Sequence, residues 1–135
     1  MRATDLAYFA GLFDGEGCIV IHKSTTRLKS GKVHYAYEAD ACLASIDKWV
    51  VNSFLFAFGG NVYWRRTQRG IWTWQVSSKG AVPFLRAITP YLRLKRAQAE
   101  IALGLEQRRH KGEYRYISEE ELAVREAEKI AISNL

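Results

Sequence analysis

Glu16 closes the stretch Phe9-Ala10-Gly11-Leu12-Phe13-Asp14-Gly15-Glu16-Gly17, an apolar helix pattern that stops abruptly on an acidic, glycine-flanked turn. Ala7, Gly11 and Gly15 recur at i, i+4 and i+8, which stacks them on one side of a helix. Side chains that small let a second helix backbone come very close. Leu6, Phe9 and Phe13 fall on another face and are expected to bury against a core. A carboxylate at the end of such a close helix pair would face its twin across the contact. That arrangement suits divalent metal binding.

The elements that must position this acid follow in order. Thr4 or Asp5 is expected to cap the first helix, running to about Asp14. Residues 17–24 are apolar and β-branched, hence strand, and the polar Ser24–Lys32 segment is a loop or hairpin tip. Residues 33–43 alternate, with Tyr37, Ala39, Ala41 and Leu43 on one side and Glu38, Asp40 and Cys42 on the other. Asp47 opens a second helix, KWVVNSFLFAF, stopped by Gly59-Gly60. A hairpin follows: NVYWRRTQ, a turn at Arg69-Gly70, then IWTWQVSS, in which Trp72, Trp74 and Val76 share one face and Thr73, Gln75 and Ser77 the other. A short helix over 79–89 is broken by Pro90, and a longer one is expected from about Leu92 to Arg109. Ser118 and Glu121 form a capping box that starts a terminal helix to about Ile132. Two hairpins joined by helices predict an α+β fold, a four-stranded antiparallel sheet with helices on one face. No linker or internal repeat divides the chain, so residues 1–135 read as one domain.

Charge narrows the partners. Lys plus Arg number 20 against 14 for Asp plus Glu, a formal net charge of +6, which favours a polyanion such as nucleic acid. Four Trp, seven Tyr and six Phe exclude a disordered tail. Cys18 and Cys42 lack any CxxC spacing, which rules out a zinc site, and read as reduced, buried thiols. No apolar run is long enough for a membrane span, and Met-Arg-Ala-Thr-Asp reads as a helix entry and not a signal peptide. The chain is therefore expected to be soluble and intracellular, with no membrane partner.

The nonapeptide FAGLFDGEG resembles the LAGLIDADG motif of homing endonucleases, with Phe at the first position. The element order matches that family's α-β-β-α-β-β-α core and its curved DNA-gripping sheet, with an extra C-terminal helix. PYLRLKRAQAE at 90–100 is similar to the family's post-sheet helix, and SEEELAVREAEKIAISNL to the tail of many members. A single motif copy implies a homodimer about the motif helices, with Ala7, Ala10, Gly11 and Asp14 at the contact. The target would be long and pseudo-palindromic double-stranded DNA.

The resemblance also implies roles. Phosphodiester hydrolysis needs an activated water, charge relief and leaving-group assistance, which carboxylate-held divalent ions supply. Glu16 is implied as the metal-binding acid, with the Gly15 carbonyl beside it and Mg²⁺ or Mn²⁺ as the ion. Asp14 invites reading as a second ligand, while the family pattern gives it a backbone-bonding role. Lys95 is implied as a basic catalytic residue near the scissile phosphate. The family's water-ordering Asn or Gln is missing, and Ser45 is the nearest equivalent.

Alternation assigns Val20, His22, Ser24, Glu38, Asp40, Thr73, Gln75 and Ser77 to the base-reading face. Either Arg65 or Arg66 joins them. Arg27, Lys29, Lys32 and Arg69 are expected to grip phosphates. Two other classes share these features: an intron-encoded maturase that binds intron RNA, and a DNA-binding regulator that does not cut.

Overall fold

The computed structural model describes residues 1–66 and 70–135. Helix α1 spans Ala3–Glu16, and strand β1 begins on the very next residue, spanning Gly17–Arg27. Gly17 permits that direct junction, because a Cβ there would lie 2.5 Å from the Phe13 ring. Strand β2 covers Val33–Ser45, helix α2 Lys48–Phe58, β3 Asn61–Arg65 and β4 Ile71–Ser77. Three helices follow: α3 Ala81–Ile88, α4 Arg96–Arg108 and α5 Glu119–Ser133.

The four strands form one antiparallel sheet in the order β1-β2-β4-β3. Its core face carries Ile19 and Ile21, then Tyr37, Ala39, Ala41 and Leu43, then Trp74 and Val76, all buried. This is the face that alternation predicts, and the helices pack on it. Phe13, Phe54, Phe58, Trp74 and Phe84 interlock edge-to-face and tilted, with centroids 4.8–6.3 Å apart. The Trp74 indole N–H donates to the Gly59 carbonyl at 2.8 Å, so the polar tip of the largest core side chain also fastens the end of α2.

Local signals set α2 and α5. The Asp47 carboxylate accepts from the Trp49 amide at 2.9 Å, and Gly59 stops α2 with φ 72°, where a Cβ would be strained. Ser118 caps α5 by accepting from the Glu121 amide at 3.1 Å.

Four boundaries differ from expectation. Helix α1 starts at Ala3 with Arg2 as its cap residue, and Asp5 reaches back to accept from the Arg2 amide at 3.1 Å. Strand β1 continues through Ser24, Thr25 and Thr26, because the β2 residues Val33–Ala36 pair with it to the turn. The helix expected over 79–89 begins as a 3₁₀ turn at Ser78–Gly80 and becomes α3 only at Ala81. Helix α4 starts at Arg96, four residues late, because the preceding segment is held by Asp14 from across the fold. No helix among the described residues is long and apolar enough to cross a membrane.

Candidate nucleic-acid interface and catalytic centre

Glu16 is the last residue of α1 and is exposed, as is Gly15. Asp14, two residues earlier, lies on the other side of the helix. Its carboxylate accepts from the backbone N–H groups of Arg93, Leu94 and Lys95 at 2.8, 3.2 and 3.0 Å. Three backbone donors on one carboxylate pin the 93–95 segment to the end of α1, the backbone-bonding role that the resemblance implies for Asp14. The Lys95 ammonium then donates to the Asp14 carbonyl at 2.6 Å. Residues 81 positions apart in sequence are thereby brought to one end of the motif helix. Lys95 and Gln98 also line a cavity of about 280 Å³ with Gly17, Cys18 and Val20.

The small-residue face of α1 is open. Nothing lies within 4 Å of a Cβ built on Gly11 or on Gly15, and Ala7 is exposed. Ala7, Gly11 and Asp14 line a shallow groove with Tyr91, Arg93 and Arg96. Ala10 does not belong to that face: it is fully buried in the chain's own core. It sits four residues after Leu6 and three before Phe13, on the packed side of the helix.

The outward sheet face is polar. Val20, His22 and Ser24 of β1 pair across to Asp40, Glu38 and Ala36 of β2, and Asp40 pairs on to Ser77 of β4. Arg65 pairs with Ile71 and, two residues from Tyr63, lies 5.5 Å from its ring on this same face. Arg65 is thus on the outward face of β3, and Arg66 follows the strand and is exposed. Arg27, Lys29 and Lys32 are exposed at the β1–β2 tip. Arg69 lies outside the described residues.

Three expected residues are corrected. Thr73 is buried between its cross-strand partners Ala44 and Tyr63, so it cannot reach a base. Asp40 is also buried, only 6% exposed, and its oxygens are taken by neighbouring side chains. Ser45 lies on the core-side register opposite Trp72, and its hydroxyl oxygen accepts from the Asp47 amide at 3.0 Å. It therefore cannot order water on the outward face, where this end of β2 offers Cys42 and Ala44. The cysteines also differ from expectation. Cys18 is exposed and Cys42 half-buried, in directly opposed positions of that face. Burial first, then the neighbouring Cys18 and Asp40, push the Cys42 thiol up to about 11.

Glu106 is a supporting residue that the sequence reading missed. It is fully buried and accepts from the Ala39 amide at 2.8 Å, just where β4 ends and leaves β2 without a ladder partner. Arg109 neutralises it at 2.8 Å. The signal was present: Glu106 falls on the stripe Ala99, Ala102, Glu106 of α4.

No family model and no curated protein matches this sequence. Solved structures do match. The homing endonuclease I-CvuI, in complex with its target in the presence of Ca, aligns at 22% identity over 77% of this chain and 66% of its own, with a TM-score of 0.64. The archaeal intron-encoded homing endonuclease I-Vdi141I, complexed with DNA, aligns at 13% identity over 97% and 83%, with a TM-score of 0.77. The LAGLIDADG homing endonuclease I-GzeII, in complex with its DNA target, aligns at 19% over 94% and 43%, with a TM-score of 0.66. The fold is that of the LAGLIDADG homing endonucleases. The chain spans about two thirds of that I-CvuI chain and less than half of I-GzeII. In this LAGLIDADG fold the motif helix is α1, and FAGLFDGEG runs from its middle to its junction with β1.

Proposed function

We propose that this chain is a single-domain, homodimeric, site-specific DNA endonuclease that hydrolyses phosphodiesters with divalent metal, making double-strand breaks at a long pseudo-palindromic target. The observation that carries this reading is that Lys95 is bonded to the Asp14 carbonyl at the end of α1 that the exposed Glu16 closes, where β1 of the outward-facing sheet begins. A binding protein has no need of that acid and base together.

The donor set suits a hard cation. Glu16 and the Gly15 carbonyl offer oxygens only, and Mg²⁺ favours one or two carboxylates completed by water and phosphate. No group of three or more His, Cys, Asp or Glu among the described residues is arranged to hold a metal. Glu16 and the Gly15 carbonyl would supply part of a coordination sphere, which fits a site completed by a second copy and by DNA. When bound, the ion lowers the pKa of attacking water and relieves phosphate charge. The chain's own residues do the rest. Asp14 fixes the backbone from which Lys95 extends. Lys95 brings a positive charge to where charge develops on the phosphate. Ala7, Gly11 and Gly15 leave room for the partner's helix. His22, Ser24, Glu38, Gln75, Ser77 and Arg65 face the groove, while Arg27, Lys29, Lys32 and Arg66 meet phosphates.

Incubation with a randomised duplex library in Mg²⁺ or in EDTA tests the reading. Wild type should release cut products from a subset of sequences only in Mg²⁺. Glu16→Gln, which keeps shape and loses charge, should bind those sequences and leave them intact. Full cleavage by Glu16→Gln would remove Glu16 from the chemistry.

A further inference from the structure

Asp40 is placed at the centre of the outward sheet face, in the middle of β2, with β1 on one side and β4 on the other. It is the only buried acid of the described residues on this face, and it touches three would-be readers at once. The Gln75 Nε2 lies 2.7 Å from Asp40 Oδ2. The Ser77 Oγ lies 3.0 Å from Oδ1. The His22 Nε2 lies 3.0 Å from Oδ2.

A carboxylate accepts hydrogen bonds and donates none. Each neighbour must therefore turn a donor inward. For Gln75 the amide orientation is forced: the reversed amide would set its carbonyl oxygen against a carboxylate oxygen at hydrogen-bond distance. Its N–H₂ is committed to Asp40, with a second, longer contact to Ser77 Oγ at 3.5 Å. Its Oε1 is left for the groove. The Ser77 hydroxyl proton points at Asp40, so its remaining outward capacity is a lone pair. His22 gives Nε2–H to Asp40, and in the neutral ring Nδ1 is then a bare acceptor. Glu38, directly across from His22, is an acceptor by nature.

We infer that Asp40 sets the polarity of base reading, so that Gln75 and Ser77 present acceptors and select bases with a major-groove donor, adenine or cytosine. This rests on the reading of the outward face as a DNA surface. Each base pair shows one exocyclic amino donor in the major groove, adenine N6 or cytosine N4, whereas guanine and thymine show acceptors there. An outward Oε1 accepts from either amino group and meets repulsion from O6 or O4. It also cannot make the two-point contact with adenine, because that needs the amide N–H₂ which Asp40 holds. Gln75 should thus accept A and C alike, where a free glutamine would favour A. Asp40 is a positioning residue, buried beneath the readers.

Selection of bound duplexes from a randomised library, with wild type, Gln75→Met, Ser77→Ala and Asp40→Asn, tests this. Gln75→Met and Ser77→Ala each locate their own base position by flattening it. Wild type should enrich A and C over G and T there by about tenfold, the size of one good base contact. Asp40→Asn can donate to Gln75 Oε1 and let the amide turn, so G and T should gain about tenfold at those positions only, with other positions unmoved. A purely structural role would weaken all positions together. Wild-type enrichment of A over C, or of G or T, would overturn the polarity, as would an unchanged Asp40→Asn profile. If Asp40→Asn does not fold, the wild-type, Gln75→Met and Ser77→Ala profiles decide by themselves. Absence of any sequence-selective DNA binding by wild type overturns the functional reading and the polarity with it. Selective binding with the wrong bases overturns the polarity alone.

Discussion

Single residues on the outward face and at the end of α1 are set by neighbours far away in sequence: Asp40 holds Gln75, and Asp14 holds Lys95. Asp40 alternates onto the outward face as expected, yet it serves three side chains of that face and reads nothing itself. Lys95 is tied through its ammonium to the Asp14 carbonyl, which aims its charge before any substrate arrives. Lys95→Met should therefore slow cleavage far more than it weakens binding. One phosphate contact among many is a small part of affinity, whereas a preset charge at the reacting phosphate acts in the transition state. Single-turnover cleavage and filter binding on the same duplex separate the two; equal losses in both would make Lys95 an ordinary DNA contact. The opposed cysteines give a second prediction. The thiolate is the reactive form, and Cys42 is raised from 9.0 to about 11 while Cys18 is exposed. At pH 8 an alkylating reagent should label Cys18 first, and Cys42 should become reactive only as the pH approaches 11. Peptide mass mapping across pH would read this directly, and equal labelling at pH 8 would contradict it.

At the scale of elements, what was legible depended on how far away the deciding group lies. Helices α2 and α5 were readable because Asp47, Gly59 and Ser118 act within three residues of the boundary. The start of α4 was not, since the N–H groups of Arg93, Leu94 and Lys95 are satisfied by an aspartate about 80 positions earlier. Ala10 was misassigned for a different reason. All small residues of α1 look alike by composition, and only its spacing from Leu6 and Phe13 separates the packed Ala10 from the open Ala7 and Gly11. The role of Asp14 yields a prediction at this scale. Asp14→Ala should leave three N–H groups without their charged acceptor, at a cost of about 2 kcal/mol or more. The α1 end and the 90–96 segment should loosen together. Hydrogen exchange should show faster amides at residues 93–95 and a lower midpoint in urea. Unchanged protection there would mean the segment is held by Leu92 burial alone.

For the whole molecule, the sheet divides the described residues into a helix-covered face and an open one. The helices cover one side of the sheet, and the other carries His22, Glu38, Gln75, Ser77 and Arg65, with Arg27, Lys29 and Lys32 at the tip. Helix α1 runs directly into β1, with an exposed Glu16 at that junction and a bare strip of Ala7, Gly11 and Gly15 toward solvent. A Cβ on Gly11 meets nothing within 4 Å in the single chain, so Gly11→Leu should not disturb the monomer fold. In a dimer paired through this strip, the same leucine would drive the two helix backbones apart, and overpacking of that kind costs typically about 1–3 kcal/mol per site. Two-fold symmetry places the substitution twice in one interface, so the dissociation constant should rise by at least about tenfold. Sedimentation at micromolar concentration should then show monomer for Gly11→Leu and dimer for wild type, with matching thermal melts at a concentration where both are monomeric. Cleavage of both DNA strands should be lost along with the dimer, because each chain brings one Glu16. A Gly11→Leu chain that stays dimeric and active would put the subunit contact on another surface.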